Sequence, residues 1–165
     1  MAISTIVKTK RDGTLQFADN ADANTFTVAY EAGDLNITIP GIGVNNYLDR
    51  GSITGTPSVR FTDDQPMTGS FTAYLRDFSD AAYATLVELM TNTGQVGSTW
   101  VSTLGANAEV KTFTLTWTVE GTDHGDAADH TLVASHCYIT GSIAEGDPDT
   151  ITINFTSFDV YPTLT

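Results

Sequence analysis

The chain has 165 residues, 41% hydrophobic and only 16% charged, a size and composition that fit one domain burying its own core. Seven Lys and Arg stand against twenty Asp and Glu, a net charge of −13, and such a surface repels phosphate backbones and excludes ordinary nucleic-acid binding. The single cysteine, Cys137, excludes an intrachain disulfide, the opening "MAISTIVKTKRDG" has no apolar h-region, and no run approaches the ~20 apolar residues of a membrane helix.

In chain order the sequence reads as strands separated by Gly, Asp, Asn and Pro. "AISTIVK" opens it; "NTFTVAYE" sets Phe26 and Val28 on one face, and "DLNITI" does the same with Leu35, Ile37 and Ile39. The longest irregular stretch follows, Pro40 to Pro57, a long loop (about 40–57) with four glycines that still carries Ile42, Val44, Tyr47, Leu48 and Ile53. A loop of this length in a compact domain is functional or disordered. Its apolar and aromatic content points to ordering against another subunit. "SVRF" and "GSFTAYLRD" are strands, and in "SDAAYATLVELMTNTG" Tyr83, Leu86, Val87 and Met90 form one apolar stripe. That spacing predicts a single flanking helix, about 79–92, capped by Ser79 and stopped at Gly94. "EVKTFTLTWTVEG" alternates Phe113, Leu115, Trp117 and Val119 with threonines, the cleanest period of two in the chain. "HTLVASHCYITGSI" and "TITINFTSFDVY" are joined by the turn "AEGDPD", and a phase shift between Phe155 and Phe158 predicts a bulge or bend. The fold class is mainly β, a sandwich or barrel with one open side covered by the helix.

Charge is unevenly placed. From Asp77 to Thr165 there are twelve acids and one cation, Lys111, a net −11; residues 1–76 hold eight acids and six cations, a net −2. Arg50, Arg60 and Arg76 gather around "SVRFTDDQPMTGSFTAYLRD", where they can meet acids of a neighbouring subunit. The competing explanation is that each pairs with an Asp on its own surface, contributing ~0–1 kcal/mol.

Motifs for chemistry are few. His124, His130 and His136 fall six residues apart; two of them on one strand would stand ~20 Å apart, too far to share an ion. "DHGDAADH" lacks the alternating ligands of a calcium loop, and "PGIGV" lacks the third glycine of a dinucleotide site. Adjacent acids such as Asp63 and Asp64 would point to opposite faces of a strand. No enzyme, metal or cofactor is expected. Trp117 is in phase with the core, which leaves Trp100 as the candidate for a sugar-stacking platform.

The element order, the long loop and phrases such as "PMTGSFTAYLRD" and "EGDPDTITINF" resemble the major tail tube proteins of long-tailed, siphovirus-type bacteriophages, over a span from about Leu35 to the C-terminus. The resemblance implies one tail-tube domain over 1–165: two packed antiparallel sheets with a flanking helix and a long loop. It implies hexameric rings stacked into a tube, a negatively lined conduit through which DNA passes without specific binding. The expected partners are further copies of the chain and the tail terminator, tail tip and tape-measure proteins. The expected location is the virion tail, assembled in the host cytoplasm. On this basis Ile42, Val44, Tyr47, Leu48, Arg50 and Ile53 belong to an inter-subunit or inter-ring loop, and Arg60 and Arg76 are interface charges. A related tube of a secretion system fits the same features. The alternative is a carbohydrate-binding or virion decoration β-sandwich.

Overall fold

The structure, a computed structural model, describes residues 13–29, 34–47, 58–105, 109–122 and 125–165. Period-two alternation dominates it. The strands are β1 (Gly13–Ala18), β2 (Thr25–Val28), β3 (Asn36–Thr38), β4 (Ile42–Tyr47), β5 (Ser58–Asp64), β6 (Met67–Tyr74), β7 (Phe113–Val119), β8 (His130–Ala144), β9 (Thr150–Ser157) and β10 (Thr163–Leu164). Two short helices, α1 (Leu86–Thr91) and α2 (Gly94–Thr99), lie between β6 and β7.

Eight strands form one antiparallel sheet in the order β2-β1-β7-β8-β9-β6-β3, with β10 added beside β8. The expected pair of packed sheets is therefore a single sheet folded upon itself. β1 and β6 are separated by three strands, which in a flat sheet would hold them ~19 Å apart. Yet the rings of Phe17 on β1 and Phe71 on β6 have centroids 6.2 Å apart. The inner face they share, with Leu15, Phe113, Leu115, Ile151, Ile153 and Phe155, is fully buried and forms the core.

The fold-over is made possible by β8. Its first half pairs with β7 and its second half, from Cys137 onward, with β9. At the changeover Phe113 pairs with Cys137 but Leu115 pairs with Ala134, so β8 carries one extra residue. His136 absorbs it in the left-handed region, at φ 52°. The bulge is pinned from β9 and beyond: Ser157 Oγ donates to Ser135 O at 2.6 Å, and Ser135 N donates to Asp159 Oδ2 at 3.1 Å. The phase break expected near Phe158 thus coincides with the end of β9 at Ser157, and the extra residue belongs to the strand paired with it.

The helical stretch departs from the predicted single helix over about 79–92. Thr85, not Ser79, is the N-cap of α1, its hydroxyl accepting from Glu88 N at 3.2 Å. Thr85 and Glu88 have the spacing of a capping box. The Glu88 carboxylate instead accepts from Ser79 Oγ at 2.7 Å, and it is buried. α1 ends at Asn92 in the left-handed conformation, and Gly94 at φ 56° opens α2. A Cβ on Gly94 would stand 1.9 Å from Glu88 Oε1, so only glycine fits there. Leu86, Val87 and Met90 pack on the core as the stripe requires, whereas Tyr83 precedes the helix and is 51% exposed.

The expected loop over 40–57 begins instead as a strand. β4 and β5 form a separate two-stranded sheet with Val44 opposite Phe61 and Asn45 opposite Arg60. Residues 48–57 lie outside the described residues.

Candidate assembly surfaces

Where each side chain points follows from the pleat. Inward residues of the large sheet are mostly apolar; outward ones are mostly hydroxyls and amides. Across β3, β6, β9 and the second half of β8 the outward positions run in register, as in Asn36–Ser70–Asn154–Thr140 and Thr38–Thr68–Thr156–Tyr138. No strand of this sheet, among the described residues, contains Asp, Glu, Lys or Arg. Among the described residues the acids other than Glu88 of α1 lie in turns and loops, at strand ends and on the arm formed by β4 and β5. A wall made of the outward face would be neutral and hydroxyl-rich, and negative charge would enter only from its rims.

Several acids are structural. Asp19 is 1% exposed and accepts from the amides of Ala21, Ala23, Asn24 and Val101 and from Asn24 Nδ2, the last at 2.8 Å. Burial pushes its carboxyl up, but the hydrogen bonds from Asn24, Val101 and Ala21 together outweigh it and hold it below the usual 3.8. Asp129 accepts from the amides of Gly121 and Thr122, which lower it to about 2. Lys111 donates to the carbonyls of Val96 and Gly97 in α2, and burial lowers its pKa.

Two edges of the large sheet differ in protection. β3 is three residues long and is followed by Pro40, and Asp34 Oδ1 accepts from Thr72 N at 2.7 Å where a further strand residue would otherwise do so. Such devices blunt an edge. The second half of β8, residues 138–144, pairs among the described elements only with β9 and carries neither charge nor proline. Among the described residues it is an open edge.

A groove of about 100 Å³ opens where the folded-over sheet fails to close, between β2 and the end of β6. Phe26, Leu75, Leu86 and Ile151 line it, with Thr27 and Tyr83 at its margin. Asp77 on its rim accepts from Tyr83 Oη at 3.0 Å. The acidic β8–β9 turn is tied to the same place, because Leu75 N donates to Asp149 O at 3.0 Å.

The structure brings the predicted site residues only partly together. Ile42, Val44 and Tyr47 lie on β4 and Arg60 on β5, so they share one arm, and Val44 is 51% exposed. Leu48, Arg50 and Ile53 lie outside the described residues. Arg76 lines the groove, beyond the opposite end of β6 from the arm. Trp100 does not form a sugar platform: it is 6% exposed, its ring edge-on to Phe113 at 5.5 Å. Among the described histidines, His130 pairs with Asp126 at 3.1 Å and His136 with Thr103 at 2.9 Å. Among the described residues no cluster of His, Cys, Asp and Glu could hold a metal ion, and no helix is long and apolar enough to cross a membrane. The groove went unnoticed in the sequence because its walls are distant along the chain, and no local pattern marks such a place.

No protein-family model matches the chain, and no curated protein matches it. Among solved structures it is similar to a chain of the sheath/tube terminator of PVC, an extracellular contractile injection system, in its extended state. The identity is 11%, the alignment covers 99% of both chains, and the TM-score is 0.57. A chain of the sheath–tube complex of the same system aligns at 10% identity over 92% of this chain and 87% of that one, with a TM-score of 0.49. At such identity the first likeness is one of fold over the whole length.

Proposed function

We propose that this chain is a structural subunit of a phage-tail-like tube. Copies close into hexameric rings, the rings stack, and the bore conducts DNA in the tail of a virion assembled in the host cytoplasm. The observation that carries this is the fold likeness along the full chain to a sheath/tube terminator. The open edge of β8 supports it, since pairing with a neighbouring copy removes the hazard of an unprotected strand. A bore walled by the sheet's outward face would be lined by Thr, Ser and Asn, with acids at ring boundaries, where the resemblance implied a negatively lined conduit. Phosphates find no cation on such a wall.

The same likeness favours a second reading, in which the chain caps a tube instead of building it. Negative-stain microscopy of concentrated purified protein separates the two. Long tubes with an axial repeat support the subunit reading, and single rings of fixed height support the cap. A protein that remains monomeric at every concentration, alone and with tube initiator added, overturns both.

A further inference from the structure

A second opening, of about 260 Å³, shares Tyr83 with the groove. Asn24 and Thr25 line it from the start of β2, Gln95 and Thr99 from α2, and Tyr83 from the connector before α1, with buried Trp100 among its walls. Among the described residues none that lines it carries a charge. Its two amide side chains are held in place. Asn24 Nδ2 donates to Asp19 Oδ2 at 2.8 Å and to Thr99 O at 3.3 Å, and Gln95 Nε2 donates to Ala81 O at 2.6 Å. With both nitrogens engaged, what each amide has left to offer is its carbonyl oxygen, an acceptor. Tyr83 is anchored as well: its hydroxyl donates to Asp77 Oδ2 at 3.0 Å, while the residue stays 51% exposed.

We propose that this pocket binds a neutral saccharide ring. Anchored carbonyl oxygens call for a ligand rich in hydroxyl donors, and an exposed aromatic ring calls for an apolar face. A pyranose has both, with hydroxyls around its rim and C–H groups on its faces. The uncharged walls set no ion against the ligand, and Asp77 beside Tyr83, with the net charge of −13, disfavours an anionic sugar. The volume lies just below the ~300–1,000 Å³ of sites for drug-sized ligands, a size for one ring. Side chains fixed before the ligand arrives lower the entropic cost of binding it. Tyr83 is the stacking ring here, and Trp100 stays in the core behind it. The site lies within one chain, so binding does not depend on assembly.

Saturation-transfer NMR of the full chain tests the proposal, and it reads monomers and assemblies alike. The probes are the methyl glycosides of glucose, galactose, mannose and N-acetylglucosamine, with methyl glucuronide as the anionic comparison. At least one neutral glycoside should take up saturation at its ring protons. Tyr83→Ala and Gln95→Ala, neither at a buried position, should each weaken that binding on the order of tenfold at an unchanged melting temperature. Thr27→Ala, which alters only the neighbouring groove, should bind as the wild type does. Absence of transfer to every neutral glycoside would overturn the proposal. Undiminished binding by either pocket variant would place the sugar elsewhere on the chain and overturn it too. A preference for the glucuronide would overturn the ligand class.

Discussion

Replacing Asp19 by Ala should destabilise the fold by about 3–4 kcal/mol. The carboxylate ends β1, closes the turn into β2 and ties both to the chain after Trp100. Three amides converge on Oδ1, from Ala21, Ala23 and Asn24, while Oδ2 takes Asn24 Nδ2 and Val101 N. A hydrogen bond to a charged acceptor contributes about 1.5–3 kcal/mol. The Ala21 and Ala23 amides lie in an exposed turn and regain water, and the bond from Asn24 N is long at 3.4 Å, so the two bonds from Asn24 Nδ2 and Val101 N, at about 1.5–2 kcal/mol each, account for the estimate. Against a typical total of about 5–15 kcal/mol this is a large loss. Asp19→Asn keeps the oxygen that serves the turn but puts an amino group before Asn24 Nδ2 and Val101 N, and should cost about 2 kcal/mol. Urea unfolding followed by tryptophan fluorescence measures both, since Trp100 adjoins Val101. The pH dependence has a definite sign: the folded carboxyl lies below its ordinary 3.8, so its contribution is complete above that value and is lost as pH falls through the folded value. A cost for Asp19→Ala below about 1 kcal/mol at pH 7 would mean the carboxylate is hydrated and the turn stands without it.

Asp129→Asn should lower stability above pH 4 and match the wild type near pH 2, because the folded carboxyl, at about 2, gives stability that disappears between 3.8 and 2; equal acid-unfolding midpoints would refute this. Trp100→Ala should lose about 3–5 kcal/mol in thermal or urea melts, the cost of emptying a core aromatic site. A sugar-binding surface tryptophan would leave the melt nearly unchanged.

Much of the architecture was legible in the residues. The alternation in Phe113 to Val119 marks a strand whose apolar side turns inward as read, and the alternating run at Thr150 to Ser157 is a strand. The turn at Glu145 to Asp149 joins β8 and β9 as its Gly and Pro require. The helical signal was read too long because Ser79 competes with Thr85 as a cap. What selects Thr85 is the Glu88 amide three residues on, and what ends α1 is the left-handed pair Asn92 and Gly94. Gly43 and the pair Asn45 and Asn46 within Ile42 to Tyr47 concealed a strand, because Gly and Asn are turn formers and read locally as loop.

By itself the sequence determined that this is a mainly β chain of short strands separated by turns, because side-chain alternation and turn chemistry act over a few residues. Only the tertiary structure decided that the sheet folds over at the His136 bulge, that β8 serves two partners, and that Phe26, Leu75 and Ile151 line one groove. Those outcomes depend on which strands pair and how tightly the sheet curls around Phe17 and Phe71. Such pairings join residues far apart along the chain, and no short pattern records them.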